Sequence, residues 1–355
     1  MSSSLAIAWN NLPASALQQN ADLFAAWDRL NAERGHLPFL AAEAILAALE
    51  TFGQGSERLL IGRQGPAITC MFLLAPLARS SWQTFQPSQI PLGAWVAEAR
   101  RPLLELARSL IRGPLGFCLS LSITQIDPLF AERPADSADS RSGDYIETGW
   151  IDLNGSFEEY WSARGKNLRQ NMRKQRNRLA AEGVTAQMRS LTHPADIAAA
   201  IERYGALESA GWKAAQGTAI HPDNAQGSFY RCLLESAARR GEAVIFEYLF
   251  ADRVVASNLC LRRGKTLVVL KTTYDESIHS SSPAFLLSQD EIEHLYHEKS
   301  IQRLEYYGRL MEWHTKWTEN KRMLYHLTLY RWPLLKRFAE WRRLRARPVD
   351  KAEAA

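Results

Sequence analysis

Three strand-like segments follow one another almost without interruption, and this run limits the fold more than any other feature of the sequence. They are rich in β-branched and aromatic residues, and only the short turns at Ala251-Asp252 and Gly264-Lys265 separate them. Connections this short join neighbouring antiparallel strands. The sequence therefore predicts an antiparallel meander formed by Glu242–Phe250, Arg253–Arg263 and Lys265–Asp275.

Helices flank the predicted meander on both sides. Apolar periodicity predicts helices over Asp196–Trp212 and Gly227–Gly241 before the meander, and a third helix is predicted over Ser281–Lys299 after it. Two further strands are predicted at Ile301–Tyr307 and Tyr325–Arg331. Helices followed by an antiparallel meander and then by further helices and strands indicate an α+β fold.

Changes in composition predict how the chain divides into domains. The segment 132–144 is rich in Ser and Asp and lacks large apolar side chains, which predicts a linker or long loop. It separates an N-terminal half, 1–131, in which helices and strands are also mixed, from a C-terminal half, 145–332. Residues 333–355 form a basic tail after the second half.

The helix after the meander has the clearest start signal in the chain. A polar loop leads to Ser282-Pro283, and Ser and Pro are favoured at the N-cap and first helical positions. A helix start directly after a strand presents backbone N–H groups and the positive end of the helix dipole, which suit a pyrophosphate. An ordinary strand-to-helix turn without a ligand has the same residues, so the pattern alone leaves both interpretations open.

A strongly basic helix lies early in the C-terminal half. It carries seven basic residues and no acid between Arg164 and Arg178, and its apolar residues Leu168, Met172 and Leu179 form a narrow seam. The helix either faces an anionic acceptor or is a solvated helix packed through this seam. Nucleic-acid binding ranks third, because too few aromatic side chains lie nearby to stack on bases.

The chain from Tyr160 to Tyr330 resembles the GNAT-type acyltransferases found beside bacterial cellulose and exopolysaccharide synthesis genes, a family related to the FemAB peptidyltransferases. The matching stretches, in family order, are NLRQNMRKQRNRLAAEG, ESAGWKAAQGTAI, GEAVIFEYLFADRVVASNLCL, TTYDESIHSSSPAFLL, LEYYG and EWHTKW. The N-terminal half resembles the first, degenerate half of that family. The resemblance implies tandem GNAT-like domains with largely antiparallel sheets, the second being better formed.

The resemblance also implies an acyl-CoA co-substrate, with acetyl-CoA the expected one, held between splayed strands at 265–275 and 301–307. The implied cofactor-binding residues at the helix start are Ser281, Ser282, Pro283, Ala284, Phe285 and Leu286. Ala284 stands where the family usually has Gly, and its Cβ crowds the approach of a phosphate to the backbone. An aminoacyl-tRNA donor, or a fold that has lost its cofactor, are therefore the alternatives.

Acyl transfer from a thioester to an amine needs a proton acceptor, a group that polarises the carbonyl and a proton donor for the thiolate. Asp275 and Glu305 stand at the edges of the presumed splay and are the candidate bases. Strand alternation puts the candidate acid Tyr307 on the face of Glu305, and the candidate acid Tyr306 on the other.

Other candidates come from the same resemblance. His314, also a candidate acid, and Lys316 both fit a position at which a Lys stabilises negative charge in the related peptidyltransferases, and the register leaves both open. A Trp-Lys pair matches the acceptor side of the family, and two arginines of the basic helix could face an anionic acceptor. The substrate-binding candidates are Trp212, Lys213, Arg169 and Arg173.

Charge and ligand spacing exclude other classes of site. The net charge of +5 lies in residues 331–355, which hold 8 Lys and Arg against 3 Asp and Glu. The remainder is neutral, so no nucleic-acid partner is expected except aminoacyl-tRNA in the alternative. His294, His297 and Glu291 share a helix face without further ligands, so no metal is expected.

The tail combines apolar and basic residues in a helical pattern. Apolar side chains recur on one side of a helix with mostly basic ones opposite, at Leu334, Leu335, Phe338, Trp341 and Leu344. Such a helix either lies on an anionic membrane or docks on the protein's own surface. Because no signal peptide is apparent, we expect a cytoplasmic protein, with residues 333–355 making any peripheral membrane contact.

These features together predict an N-acyltransferase that uses acetyl-CoA or another acyl-CoA. Its acceptor is expected to be an amine on a small molecule or saccharide in envelope or exopolysaccharide biosynthesis. The alternatives are a FemAB-like aminoacyl transferase and a non-catalytic accessory protein of a polysaccharide synthesis system that keeps the fold without the cofactor.

Overall fold

The computed structural model describes residues 7–99, 101–210, 220–221 and 223–346. Two groups of predicted functional residues, the pair Trp212-Lys213 and the tail end 347–355, lie outside the described residues. None of the helices within the described ranges is long and apolar enough to cross a lipid bilayer.

Strands and helices alternate irregularly along the chain. The strands are β1 (Ala8–Pro13), β2 (Arg58–Gln64), β3 (Ala67–Ala78), β4 (Ser81–Thr84), β5 (Trp95–Ala97), β6 (Ser120–Ile126), β7 (Ser140–Asp152), β8 (Ala186–Leu191), β9 (Ala243–Phe250), β10 (Arg253–Arg263), β11 (Thr266–Tyr274), β12 (Arg303–Glu305) and β13 (Lys321–Tyr330). The helices are α1 (Ala16–Gln19), α2 (Ala21–Arg34), α3 (Ala42–Phe52), α4 (Leu103–Arg112), α5 (Phe157–Ser162), α6 (Lys166–Ala181), α7 (Pro194–Ala210), α8 (Ala225–Arg239), α9 (Pro283–Glu298) and α10 (Pro333–Ala346).

One continuous sheet contains the same strand pattern twice. The orders β1-β2-β3-β4-β6-β13 and β8-β9-β10-β11-β12-β7 match position by position. In each half the fourth and fifth strands are parallel and the other neighbours are antiparallel. The helix between those two strands is α4 in the first half and α9 in the second. The predicted α+β fold with tandem halves is therefore confirmed, and β9–β11 form the predicted meander.

The two halves exchange their last strands. The C-terminal strand β13 pairs with β6 of the N-terminal half, whereas β7 pairs with β12 of the C-terminal half. β7 and β13 also pair with each other and so join the two halves into one sheet. β7 begins at Ser140, so residues 140–144 of the predicted linker or loop form strand instead.

The helices cover both faces of the sheet. On one face α2, α3, α7 and α8 bury a cluster that crosses both halves, with Trp27 and Phe229 among its largest side chains. On the other face α4 packs on the N-terminal half, and α6 and α9 pack on the C-terminal half. Successive residues of β11 point to opposite faces, since Val268 packs in the shared cluster and Leu267 and Val269 pack under α9.

A buried charged cluster lies where the two halves meet. Arg322 of β13 donates to both oxygens of Asp127, at 2.7 to 3.0 Å, and to Glu305 of β12 at 3.0 Å. The hydroxyl of Tyr307 donates to Asp127 at 3.1 Å. Burial raises the pKa of Glu305 to about 7, against the opposing attraction of Arg322. One guanidinium therefore holds two carboxylates that come from different halves of the protein.

Candidate active site

A cavity of about 380 Å³ opens at the N-terminal end of α9. The end of β11, the 3₁₀ turn Glu276–Ser281, the first turns of α9, one side of α7 and an indole form its wall. The lining residues are Leu207, Glu208, Thr272, Thr273, Tyr274, Glu276, His279, Ser282, Pro283, Ala284, Phe285, Ser288 and Trp313.

The cavity lies where β11 and β12 separate. These parallel strands pair only from Thr266 opposite Arg303 to Val268 opposite Glu305. β12 then ends and the chain turns at Tyr307, which has a φ of 48°, while β11 continues to Tyr274. α7 and α9 cover opposite faces of the sheet, and the cavity is lined by both helices and by the end of β11 that extends beyond its pairing with β12.

The N-terminus of α9 has unusual capping. Ser282 adopts a left-handed conformation with a φ of 52°, and Pro283 supplies no N–H, so the first amide of the helix is that of Ala284. The next two amides, of Phe285 and Leu286, already donate to the carbonyl of Ser282 at 3.1 Å. Ala284 lines the cavity, so the positive end of the helix faces it.

The basic helix α6 flanks this helix start. Arg178 donates a hydrogen bond to Ser281, and Asn171 donates to the hydroxyl of Ser282 at 3.4 Å. Arg176 forms an ion pair with Asp290 of α9, which fixes the two helices side by side. The half-exposed guanidinium of Arg178 thus lies beside the N-terminus of α9 and adds positive charge there.

The rest of α6 follows the predicted amphipathic pattern. Leu168, Met172 and Leu179 are buried in the core beneath α9, as the apolar seam predicts. The predicted substrate-binding residues Arg169 and Arg173 are exposed on the outer side of the helix, and neither lines the cavity.

A buried carboxylate lies beneath the cavity. Glu291 of α9 accepts a hydrogen bond from Asn258 at 2.5 Å, and burial raises its pKa to about 7. Both residues line a small space together with Tyr306, and Thr272, Ser288 and Trp313 line this space and the main cavity alike. Burial also raises the pKa of Tyr306 well above its ordinary value, so its hydroxyl keeps its proton at neutral pH.

The shifted pKa of Glu291 gives a pH-dependent stability. Because the folded state raises this pKa from 4.5 to about 7, the stabilising contribution is complete below pH 4.5 and is lost as the pH rises through 7. Glu291→Gln mimics the protonated form. We expect the stability of this variant relative to the parent to increase by about 3 kcal/mol between these limits, measured by urea unfolding at several pH values.

The matched control for this measurement is Glu293→Gln, which removes a less buried carboxylate from the same helix. A stability difference between Glu291→Gln and the parent that does not change with pH would contradict the buried titration.

Glu208 of α7 is a cavity residue that the sequence analysis does not select. Its buried carboxylate accepts the backbone N–H of Ile220 at 2.7 Å and lies 3.4 Å from the ammonium of Lys271 on β11. The sequence does contain a signal that could have identified Glu208. It is an acid on an otherwise apolar helix face, since Ile197, Ile201 and Tyr204 point the same way in α7.

The predicted bases lie outside the cavity lining. Glu305 and Tyr307 share a face of the chain, as strand alternation predicts, but both point to the charged cluster between the halves. Asp275 forms an ion pair with Arg253 and accepts the N–H of Ser277 at 2.9 Å, so it caps the 3₁₀ turn.

The two residues of the predicted charge-stabilising position differ in environment. His314 is buried against Tyr306, and its Nδ1 accepts the N–H of Met311 at 2.9 Å. Burial lowers the pKa of His314 to about 4, so the ring is neutral at physiological pH. Lys316 is more exposed and pairs with Glu312 at 2.9 Å. Neither residue lines the cavity.

The predicted cofactor residues largely meet at the cavity. Ser282, Pro283, Ala284 and Phe285 line it, and Ser281 contacts Arg178 beside it. Leu286 is fully buried in the core beneath α9 and serves packing. Among the described residues, no group of three or more metal-ligating side chains is present.

Comparisons with known proteins concern the fold and the class of reaction. Residues 166–340 match the family described as Acetyltransferase (GNAT) domain. No curated protein sequence matches the chain. A domain match to GNAT acetyltransferases supports an N-acyltransferase activity.

Solved structures share the fold at low sequence identity. The C-terminal domain of a putative lysylphosphatidylglycerol synthetase from Agrobacterium fabrum is 13% identical, with a TM-score of 0.50 over 79% of this chain and 87% of that one. A protein of unknown function from Bacteroides thetaiotaomicron is 11% identical, with a TM-score of 0.54 over 86% and 97%. FemX is 8% identical, with a TM-score of 0.51 over 80% and 90%. At this level of sequence identity, these similarities show a shared fold.

Proposed function

We propose that the protein is an N-acyltransferase that moves an acyl group from a coenzyme A thioester to an amine. The observation that carries this proposal is the cavity that starts at the N-terminus of α9 and is lined by α7, α9 and the end of β11 beyond its pairing with β12. The α9 side of the cavity suits an anionic donor, and we place the acceptor at the α7 side, so that the two substrates would meet between these walls.

On the donor side we assign the pyrophosphate to the start of α9. The amide of Ala284 and the dipole of the helix favour negative charge there, and the guanidinium of Arg178, which also lies 3.8 Å from Glu182, is beside it. The methyl group of Ala284 narrows this site, but a single Cβ leaves the amide accessible to a phosphate oxygen. The pantetheine arm would then pass Ser288 and Trp313 into the gap.

On the acceptor side we assign the proton acceptor to Glu208. An ammonium substrate must lose a proton before its nitrogen attacks the thioester carbonyl carbon, and a buried carboxylate in the cavity wall can take it. The new C–N bond forms as the C–S bond breaks. The nitrogen must then release its second proton. The departing thiolate takes a proton from the hydroxyl of Tyr306, our proposed donor, and the proton released by the nitrogen restores that hydroxyl.

The acceptor class follows from the sequence resemblance. The acyltransferases that the sequence resembles are found beside cellulose and exopolysaccharide synthesis genes, so we propose an amine-bearing saccharide or small molecule of envelope biosynthesis as acceptor. A FemAB-like aminoacyl donor is the second candidate, favoured by the fold likeness to FemX and to the putative lysylphosphatidylglycerol synthetase domain.

The donor assignment predicts a specific response to acetyl-CoA. At about 100 times its dissociation constant, a ligand stabilises the folded state by about 2.7 kcal/mol, so acetyl-CoA should raise the melting temperature. Ala284→Asp should abolish this shift, because a carboxylate would face the pyrophosphate. Ala284→Gly, the matched control, should keep or increase the shift. Thermal unfolding with and without acetyl-CoA gives the shift in melting temperature for the parent and for both Ala284 variants.

A melting temperature that does not respond to millimolar acetyl-CoA, CoA or longer acyl-CoAs would overturn the use of a CoA donor. The aminoacyl donor and the non-catalytic accessory role would then remain.

We further propose that α10 brings the enzyme to an anionic membrane surface. Leu334, Phe338 and Trp341 are 73%, 56% and 46% exposed, so they do not dock on the rest of the protein. The exposed side chains Phe117 and Trp332 pack against each other and add to the exposed aromatic surface. The helix itself carries five Lys and Arg and one Glu.

This surface predicts binding to phosphatidylglycerol vesicles at low salt and weaker binding to phosphatidylcholine, since each Lys or Arg near an anionic surface adds about 1 kcal/mol. Phe338→Ser combined with Trp341→Ser should release the protein from vesicles, as should removal of residues 333–355. The control is Leu77→Ser, at another exposed apolar position. Co-sedimentation gives the fraction of each protein that binds the vesicles. A full-length protein that stays in the supernatant would show that α10 does not bind membranes.

A further inference from the structure

The outer side of the basic helix α6 takes no part in the proposed reaction. Lys166, Arg169 and Arg173 are exposed there, and their spacing of three and then four residues places them in one line along the helix. No acidic residue lies between Arg164 and Ala181. We call the three exposed side chains the basic stripe.

The basic stripe lacks ion-pair partners. In the described part of the chain, none of its three side chains pairs with a carboxylate, whereas Arg176 on another side of the same helix pairs with Asp290 of α9. The Nε of Arg169 donates to the backbone carbonyl of Arg164 at 3.1 Å, but a carbonyl does not balance the charge of the guanidinium. The positive charge of the stripe is therefore directed to the surroundings of the protein.

This arrangement lowers the stability of the helix that carries it. Like charges three and four residues apart on a helix repel each other. The N-cap Gly165 has no capping side chain, and the first turn contains Lys166 and no acid, which opposes the helix dipole. Because the three side chains are exposed, packing does not offset this cost. Charges that cost local stability without a gain in packing are typical of a binding surface.

The composition and position of the stripe limit the kind of partner. α6 contains no aromatic side chain, so it lacks the platforms on which single-stranded nucleic acids stack their bases. The stripe projects from the outer side of a helix and does not line the cavity at α9. Such a line of cations suits an extended anionic surface better than a single small anion. The phosphate groups of an anionic lipid bilayer form a surface of this kind.

The apolar helix α10 lies toward the same side of the protein. Arg331, just before α10, donates to the carbonyl of Ile111 in the last turn of α4 at 3.0 Å. α4 and α6 cover the same face of the sheet. The membrane binding of an exposed amphipathic helix increases with electrostatic attraction to anionic lipids. The basic stripe can supply this attraction next to the apolar contact of α10.

We propose that the basic stripe binds the phosphate headgroups of an anionic lipid bilayer and, together with α10, orients the protein on the membrane. This inference rests on the proposed membrane role of α10 and is independent of the acyl donor. Asn171 and Arg178 of α6 donate to Ser282 and Ser281 at the start of α9. The proposed orientation therefore brings the entrance of the cavity close to the bilayer surface.

The test is co-sedimentation of the full-length protein with phosphatidylglycerol vesicles at low salt. The triple variant Lys166→Gln, Arg169→Gln, Arg173→Gln should bind at least about tenfold more weakly than the parent, because each cation near an anionic surface contributes about fivefold to binding. Sodium chloride should weaken the binding of the parent more than that of the variant, since salt screens these charges. Without vesicles, the melting temperature of the variant should equal or exceed that of the parent.

The matched control removes three exposed cations from α2 and α8, which cover the opposite face of the sheet, by Arg29→Gln, Arg231→Gln and Arg239→Gln. Its binding to the vesicles should stay within about threefold of the parent. If the triple variant of the stripe does not fold, Arg173→Gln alone replaces it and should weaken binding by about fivefold.

The outcomes separate this proposal from the others. Binding by the triple variant that falls by less than about tenfold, or by no more than that of the control, overturns the role of the stripe, even if Phe338→Ser with Trp341→Ser releases the protein and α10 alone holds it. A triple variant that keeps vesicle binding but loses binding to transfer RNA would assign the stripe to nucleic acid and also overturn the proposal. The response of the melting temperature to acetyl-CoA tests the acyl donor separately.

Discussion

Glu208→Gln should lower kcat by about 10²–10⁴ and leave the KM for acetyl-CoA unchanged, which is the usual cost of losing a general base. Glutamine keeps the shape of the side chain and can still accept the amide of Ile220, but it cannot take a proton. The loss should therefore fall on the chemical step alone. Release of CoA thiol, measured with glucosamine as the acceptor amine, gives both constants.

The matched control is Glu305→Gln, because Glu305 is an equally buried carboxylate that lies outside the cavity and binds Arg322. Its kcat should stay within about threefold of the parent, since no proton transfer depends on it in our assignment. If instead Glu305→Gln loses turnover and Glu208→Gln retains it, the proton acceptor is Glu305, one of the two candidate bases of the sequence analysis.

Arg322→Met should lower the free energy of unfolding by about 3–5 kcal/mol, the range found when one partner of a buried ion pair is removed. The substitution leaves the carboxylates of Asp127 and Glu305 buried beside each other without their shared cation. Urea unfolding at neutral pH measures the effect. Part of it should disappear as the pH falls through 7, because the raised pKa of Glu305 allows that carboxyl to become neutral there.

Two further variants define the origin of this loss. Lys316→Met breaks a more exposed pair with Glu312 and should cost about 0–1 kcal/mol. Asp127→Asn added to Arg322→Met should recover stability, because it removes one of the two unpaired charges. A double variant no more stable than Arg322→Met would show that packing of the arginine stem, rather than charge, holds this junction.

The sequence predicts those parts of the fold that depend on local signals. Short turns identify β9–β11 as a meander, and Ser282-Pro283 marks the start of α9, because turn and capping preferences act within a few residues. The prediction of an apolar seam on α6 is correct for the same reason, because the spacing of Leu168, Met172 and Leu179 follows the helical period.

Features set by distant parts of the chain were not predictable in this way. Alternation shows that Glu305 and Tyr307 share a face, but the partner on that face, Arg322, comes from a strand that has crossed to the other half. Glu208 becomes a cavity residue only because the gap between β11 and β12 opens beneath α7. The position of Arg178 likewise depends on how α6 packs beside α9.

The exchange of β7 and β13 has a consequence for synthesis on the ribosome. Domains of a nascent chain usually fold one after another from the N-terminus. Here β6 lacks its neighbour until residues 321–330 have emerged, and β7 lacks both of its neighbours until residues 303–330 have done so. The first half must therefore remain with an unpaired strand edge, to which other chains can pair, until residues 321–330 have been made. Premature termination before β13 would leave the N-terminal half without its sixth strand and β7 with one unpaired edge, and such a chain would be prone to aggregation.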